Sequence, residues 1–279
     1  MSISFADRLA HAQSHSGGLL CVGLDPDLAK LPPDLRDTHE PILRFNRRVI
    51  DATYDLAAAY KPQIAFYAAL GAEAQLESTI AYIRERAPYA LVILDAKRND
   101  IGNTAEAYAR EAFERYGADA VTVNPYMGAD SVLPFLSRVD RGAVLLCRTS
   151  NPGARDFQDL QVDGLPLYRR VAERAAASWN THQNLMFVVG ATVPREMAEL
   201  RRAHPEITFL VPGIGAQGGD LEGTLKAGLN SQGTGLLISA SRSVNYAGGG
   251  EAGAIRAAAR ELYAAINAGR PGIKLTRSA

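Results

Sequence analysis

The sequence predicts a (β/α)₈, or TIM, barrel spanning residues 1–279 as a single domain. Three observations carry that expectation. Eight short apolar runs recur along the chain, each bounded by turn or charge signals. Several are continuous rather than alternating, the pattern of strands buried on both faces. Helical patterns fill the intervals, and eight such pairs in about 250 residues is the rhythm of a barrel. A doubly wound open sheet is the rival, but no G-x-G-x-x-G turn follows the first run.

The opening segment, MSISFADRLAHAQSHSG, reads as a short amphipathic helix with Phe5 and Leu9 on one face. It lacks the apolar core of a signal peptide and carries acid and base early. The runs then follow in order: LLCVGLD (19–25), AAYKPQIAFY (58–67), ALVILDAK (90–97), DAVTVNP (119–125), GAVLLCRTS (142–150), NLMFVVGAT (184–192), ITFLVPGIG (207–215) and GLLISASRS (235–243). Between the third and fourth, NTAEAYAREAFERY opens with Asn103 or Thr104 as a helix cap. Its apolar stripe is Ala105, Ala109, Ala112, Phe113 and Tyr116. LPLYRRVAERAAASW and PREMAELRRAH repeat the helical pattern. Two long segments, SNPGARDFQDLQVDG and SVNYAGGGEAG, follow the fifth and eighth runs and read as lids or binding loops. The chain closes on GRPGIKLTRSA, a tail free to flex.

Composition narrows the function classes. Lysine plus arginine and aspartate plus glutamate each number 30, so no basic excess points to nucleic acid or an anionic membrane. No run reaches the roughly 18 apolar residues that cross a bilayer. Cys21 and Cys147 both lie inside apolar runs, without disulfide or metal spacing, which suits a reducing cytoplasm.

In a barrel of this kind chemistry sits at the C-terminal ends of the strands. The first run ends at Asp25, the second offers Lys61, and the third ends in Asp95 and Lys97. Arg148 and Ser150 close the fifth, PGIGAQGGD the seventh and SASRS the eighth. Asp95 and Lys97 are two apart, so their side chains share a face and meet at the barrel mouth. The chain prefers arginine, and its lysines are only Lys30, Lys61, Lys97, Lys226 and Lys274. Two of these fall at strand positions near the mouth, where a surface lysine has no reason to be. The glycines of PGIGAQGGD and AGGGEAG let backbone N–H groups approach an anion, and Arg242 and Gln217 add donors. Together these residues point to a phosphorylated small molecule whose reacting end lies over Asp95 and Lys97.

Schiff-base chemistry needs a neutral amine. Asp95 and Asp100 flank Lys97 and favour its ammonium form, which suits it to electrostatic stabilisation and proton donation. The five histidines, His11, His15, His39, His182 and His204, fall outside the strand ends, so no metal site is expected. Nor is a nicotinamide or flavin expected, since the glycine fingerprint is missing. What remains is cofactor-free chemistry at carbon.

The segment LDAKRNDIGNT resembles the Asp-x-Lys-x-x-Asp-Ile signature of the orotidine 5′-phosphate decarboxylase family. CVGLDPD, KPQIAFY, PGIGAQGGD and the late SRS match the family in order, over about the whole chain. NPGARDFQ and KPQIAFY resemble its longer bacterial branch, type 2. The resemblance implies conversion of orotidine 5′-phosphate to UMP and CO₂, the last step of de novo UMP synthesis, in a cytoplasmic homodimer. It implies that Asp25 binds the ribose hydroxyls and that Lys61 completes a charged array touching the ribose. Asp95 would face the scissile carboxylate, and Lys97 would protonate pyrimidine C6. Asp100, with Ile101 and Thr104, would enter the partner's site. Ser150 would read the pyrimidine amide, and Gln217 and Arg242 would hold the phosphate. Metal-dependent sugar-phosphate decarboxylases and synthases on related barrels place an acidic ligand at the second strand, where this chain has Lys61. A barrel that binds nucleotides as a sensor is the non-enzymatic alternative.

Overall fold

The structure, a computed structural model, describes residues 3–214 and 219–271. Eight parallel strands close into a barrel, with each neighbour in chain order and the first pairing the last. They are β1 (Leu20–Leu24), β2 (Ala57–Pro62), β3 (Leu91–Arg98), β4 (Ala120–Val123), β5 (Gly142–Arg148), β6 (Leu185–Val189), β7 (Phe209–Pro212) and β8 (Leu236–Ala240). The predicted (β/α)₈ barrel is therefore the observed fold.

Two apolar clusters explain the continuous runs. Leu20, Val22, Val92 and Leu94 pack outward against the helices, whereas Cys21, Leu91, Ile93, Ala120 and Val144 fill the interior. Both faces of each strand are thus buried, as parallel sheets in α/β folds require. The inward series on β3 runs Leu91, Ile93 and then Asp95, so one period-2 pattern carries the chain from core to chemistry.

The helix Phe5–Ser16 closes the barrel's N-terminal end. Ser4 caps it by accepting from the Asp7 N–H at 3.1 Å, and Phe5, Leu9 and Ala12 join the interior cluster. Phe5 is 1% exposed, and a Cβ at Gly142 would come within 2.5 Å of its ring. Arg8 and Arg84 both pair with the fully buried Asp119, which also accepts from the Val92 N–H at 2.7 Å.

Some local expectations are revised. Only the first half of AAYKPQIAFY is strand; Ile64–Ala68 is a helix turned off after Pro62. The helix after β3 begins at Gly102, and neither Asn103 nor Thr104 caps it: Ile101 is the N-cap and makes no side-chain cap bond. The long segments are built structure. The one after β5 holds a 3₁₀ turn, Pro152–Asp156, and a hairpin pairing Gln161–Val162 with Leu165–Pro166. The one after β8 holds the short helix Arg242–Asn245 and a turn at Ala247–Gly249. The tail from residue 272 lies outside the described residues.

Candidate active site

A cavity of about 520 Å³ opens at the C-terminal mouth of the barrel. Asp25, Lys61, Asp95, Lys97, Ser150 and Arg242 all line it. Asp95 and Lys97 therefore face the central cavity, as the sequence required.

Asp95 is the hub. Its Oδ2 accepts from Lys61 Nζ at 3.0 Å, and its Oδ1 accepts from Lys97 Nζ at 2.6 Å and from Thr122 Oγ1 at 2.9 Å. The Lys61 and Asp95 side chains are 9% and 11% exposed, whereas Lys97 is 47% exposed. Lys61 is thus a buried strut, and Lys97 is the ammonium available to a ligand. Burial alone would raise the Asp95 carboxyl, but Lys61 and Lys97 outweigh it and hold the group down at about 2. Burial likewise works against a charged Lys61, and Asp25 and Asp95 together overcome it, leaving its ammonium more persistent than usual. The mouth therefore carries fixed charges of alternating sign.

The geometry of β3 is not that of a regular strand. Leu94 pairs with Val121 and Arg98 with Val123, so Asp95, Ala96 and Lys97 all stand opposite Thr122. Lys97 takes the left-handed φ of 47°. For a lysine that conformation costs about 1–2 kcal/mol, and residues held this way cluster at functional sites.

Asp25 follows the last residue of β1. Its Oδ1 is buried and has no hydrogen-bond partner among the described residues. The backbone around it is pinned by three side chains from two segments: Asn245 Nδ2 donates to Gly23 O at 2.7 Å, Tyr67 OH to Leu24 O at 3.1 Å, and the Asp27 N–H to Tyr246 OH at 2.8 Å. Glycine at 23 is needed because a Cβ there would lie 2.8 Å from the Ser241 Cβ. On the opposite wall, Gln158 accepts from the Thr149 N–H at 2.9 Å and donates to Thr149 Oγ1 at 2.8 Å. That clasp fixes the loop carrying Ser150.

Three predicted residues stand apart. Asp100, Ile101 and Thr104 are not among the residues lining this cavity. Asp100 Oδ1 accepts from the Ile101 N–H at 2.8 Å, and Ile101 is 48% exposed. Gln217 lies outside the described residues. Sequence reasoning missed Thr122, Gln158, Tyr67, Asn245 and Tyr246. Thr122 alone left a trace, as the polar residue that follows inward-facing Ala120 at period 2. Among the described residues no group of three or more His, Cys, Asp and Glu side chains is placed to hold a metal ion.

Comparison with known proteins identifies the family. A family model described as "Orotidine 5'-phosphate decarboxylase / HUMPS family" matches residues 18–258. An orotidine 5′-phosphate decarboxylase of Cellvibrio japonicus is 54% identical over 272 residues, covering 96% of this chain and 100% of the relative. Another, from a Janthinobacterium, is 54% identical over 267 residues, covering 95% and 98%. The structure of Leishmania donovani OMP decarboxylase superimposes with a TM-score of 0.84 at 42% identity, over 96% of this chain and 99% of that one. With 54% identity over nearly its full length and a charged barrel mouth built on the family's signature, the chain belongs to the orotidine 5′-phosphate decarboxylase / HUMPS family.

Proposed function

We propose that this chain is an orotidine 5′-phosphate decarboxylase, a carboxy-lyase that converts orotidine 5′-phosphate to UMP and CO₂ without a cofactor. The observation that carries the reading is the Lys61–Asp95–Lys97 array, with Asp95 bonded to both ammonium groups at 3.0 and 2.6 Å in one cavity.

The chemistry explains why such an array is needed. Breaking the bond from C6 to the carboxylate releases CO₂ and leaves the electron pair on C6, in the ring plane and out of conjugation. A cation must lie close to it. The Lys97 ammonium supplies that charge, then donates a proton to C6 to give UMP, and is itself reprotonated from water. One charge pair 4 Å apart at an effective dielectric of about 20 is worth about 4 kcal/mol. Enzymes lower barriers by about 8–23 kcal/mol, so one lysine is insufficient. The rest comes from charges fixed before the substrate arrives, which need no reorganisation as charge develops. Asp95 and Lys61 do this by holding Lys97 in place, and Asp95 faces the departing carboxylate.

Asp25 binds the ribose hydroxyls, which supply donors to its unsatisfied buried oxygen. Ser150 reads the pyrimidine amide. Arg242, exposed at the cavity rim, grips the phosphate; Gln217, outside the described residues, is the second ligand that the resemblance implies.

The working unit is a homodimer in which Asp100, Ile101 and Thr104 complete the partner's site. Supporting this, the segment holding Asp100 is bonded to its neighbour through the Asn99 side chain and Asn124 O at 2.6 Å. These two joined segments of the chain expose Ile101, Tyr126 and Met127, apolar side chains that a second copy would cover. The enzyme works in the cytoplasm, a reading supported by two buried unpaired cysteines and by the finding that no helix among the described residues is long and apolar enough to cross a membrane.

An absorbance assay for orotidine 5′-phosphate consumption, run with and without a chelator, tests the proposal. Turnover that survives the chelator is expected. Turnover only of a sugar phosphate, lost on chelation, would assign the chain to the metal-dependent branch despite Lys61. Binding without turnover would indicate a sensor.

A further inference from the structure

We infer that Thr122 is a positioning residue for this reaction: its single hydroxyl fixes the Asp95 carboxylate and the backbone that aims Lys97. The inference rests on the decarboxylase reading above.

The ladder between β3 and β4 shifts register between Leu94 and Arg98. Three β3 residues, Asp95 to Lys97, face one β4 residue, Thr122. Extra residues in a strand lose their regular ladder partners. The N–H groups of Ala96 and Lys97 both donate instead to Thr122 Oγ1, each at 2.9 Å. The same hydroxyl donates its proton to Asp95 Oδ1, also at 2.9 Å. A hydroxyl offers one proton and two lone pairs, so Thr122 is used to capacity. It is 1% exposed, and water cannot readily replace it.

This geometry bears on the chemistry directly. Asp95 Oδ1 is held from one side by Thr122 and from the other by the Lys97 ammonium at 2.6 Å. Lys97 sits at a φ of 47°, a conformation that persists only when the surroundings over-determine it. Its N–H is anchored by the same oxygen that orients its ion-pair partner. Losing the hydroxyl therefore loosens both the carboxylate and the lysine, while the wall of the cavity keeps its shape if valine takes the site.

The test compares purified wild type, Thr122→Val and Thr122→Ser, measuring steady-state turnover, UMP affinity and thermal unfolding. A hydrogen bond to a charged group is worth about 1.5–3 kcal/mol, so kcat of the valine variant should fall by about 10- to 100-fold. KM and UMP affinity should stay within about threefold of wild type, because the lost interaction matters in the transition state. Serine should recover kcat to within about threefold. A folded valine variant with kcat within about twofold of wild type overturns the inference, as does a serine variant as slow as the valine one. If the valine chain does not fold, Thr122→Cys, which keeps a similar shape with a far weaker donor, is judged by the same criteria. A wild type without turnover overturns the decarboxylase reading and this inference with it. An active wild type beside an equally active valine variant overturns the inference alone.

Discussion

Lys97 Nζ donates to Asp95 Oδ1 across 2.6 Å, although only Ala96 separates the two residues on β3. The contact ties a half-exposed ammonium to a buried carboxylate whose other oxygen is held by Lys61. Most of the expected behaviour of the site follows from that arrangement.

Asp95 should make stability depend on pH in a defined direction. Its carboxyl is held at about 2 in the folded chain, against an ordinary value of 3.8. Folding thus favours the ionised form, and the stabilisation is complete above about pH 4 and fades as pH falls towards 2. The shift corresponds to about 2 kcal/mol. Asp95→Asn should lower the unfolding free energy measured by denaturant titration at pH 7 by at least that much, since a buried Lys61 loses a partner. The gap from wild type should narrow in acid. Equal gaps at pH 7 and pH 3 would show that the ion pairs are not the source.

Arg242 should matter to the phosphate and to little else. Arg242→Ala is expected to weaken UMP binding by about 10- to 100-fold, the worth of a charge-assisted hydrogen bond. Uridine, which lacks the phosphate, should bind both proteins equally. Titration calorimetry with the two ligands makes the comparison. An equal loss for uridine would place the phosphate elsewhere.

The shared site predicts complementation. Lys97→Ala and Asp100→Ala chains, each inactive, should recover activity when unfolded together and refolded. An isologous dimer formed at random from equal amounts has one intact site in half its members, or about a quarter of wild-type activity. Mixed dimers verified by mass spectrometry that remain inactive would rule out donation of Asp100 across an interface.

Much of this was legible in the sequence, for identifiable reasons. Continuous apolar runs reported strands buried on both sides, and the parity of Leu91, Ile93 and Asp95 delivered the carboxylate to the mouth. What stayed hidden depended on three-dimensional closure. The register shift opposite Thr122 has no mark in the letters of β3, because nothing in LDAKR signals extra residues relative to β4. Tyr67, Asn245 and Tyr246 reach the end of β1 from segments far away in sequence. KPQIAFY misled because a short apolar run reads the same as buried strand or buried helix, and the structure turns helical at Ile64.

The most direct test of the central claim is the turnover of orotidine 5′-phosphate by Lys97→Ala beside wild type, in chelator-treated buffer, with folding and UMP binding verified for both. Removing the cation forfeits about 4 kcal/mol of charge stabilisation, and losing the proton donor removes a further factor of about 10²–10⁴. The variant should therefore be slower by at least about 10⁵-fold while still folding and binding nucleotide. A folded, nucleotide-binding Lys97→Ala enzyme that keeps wild-type turnover would contradict the account.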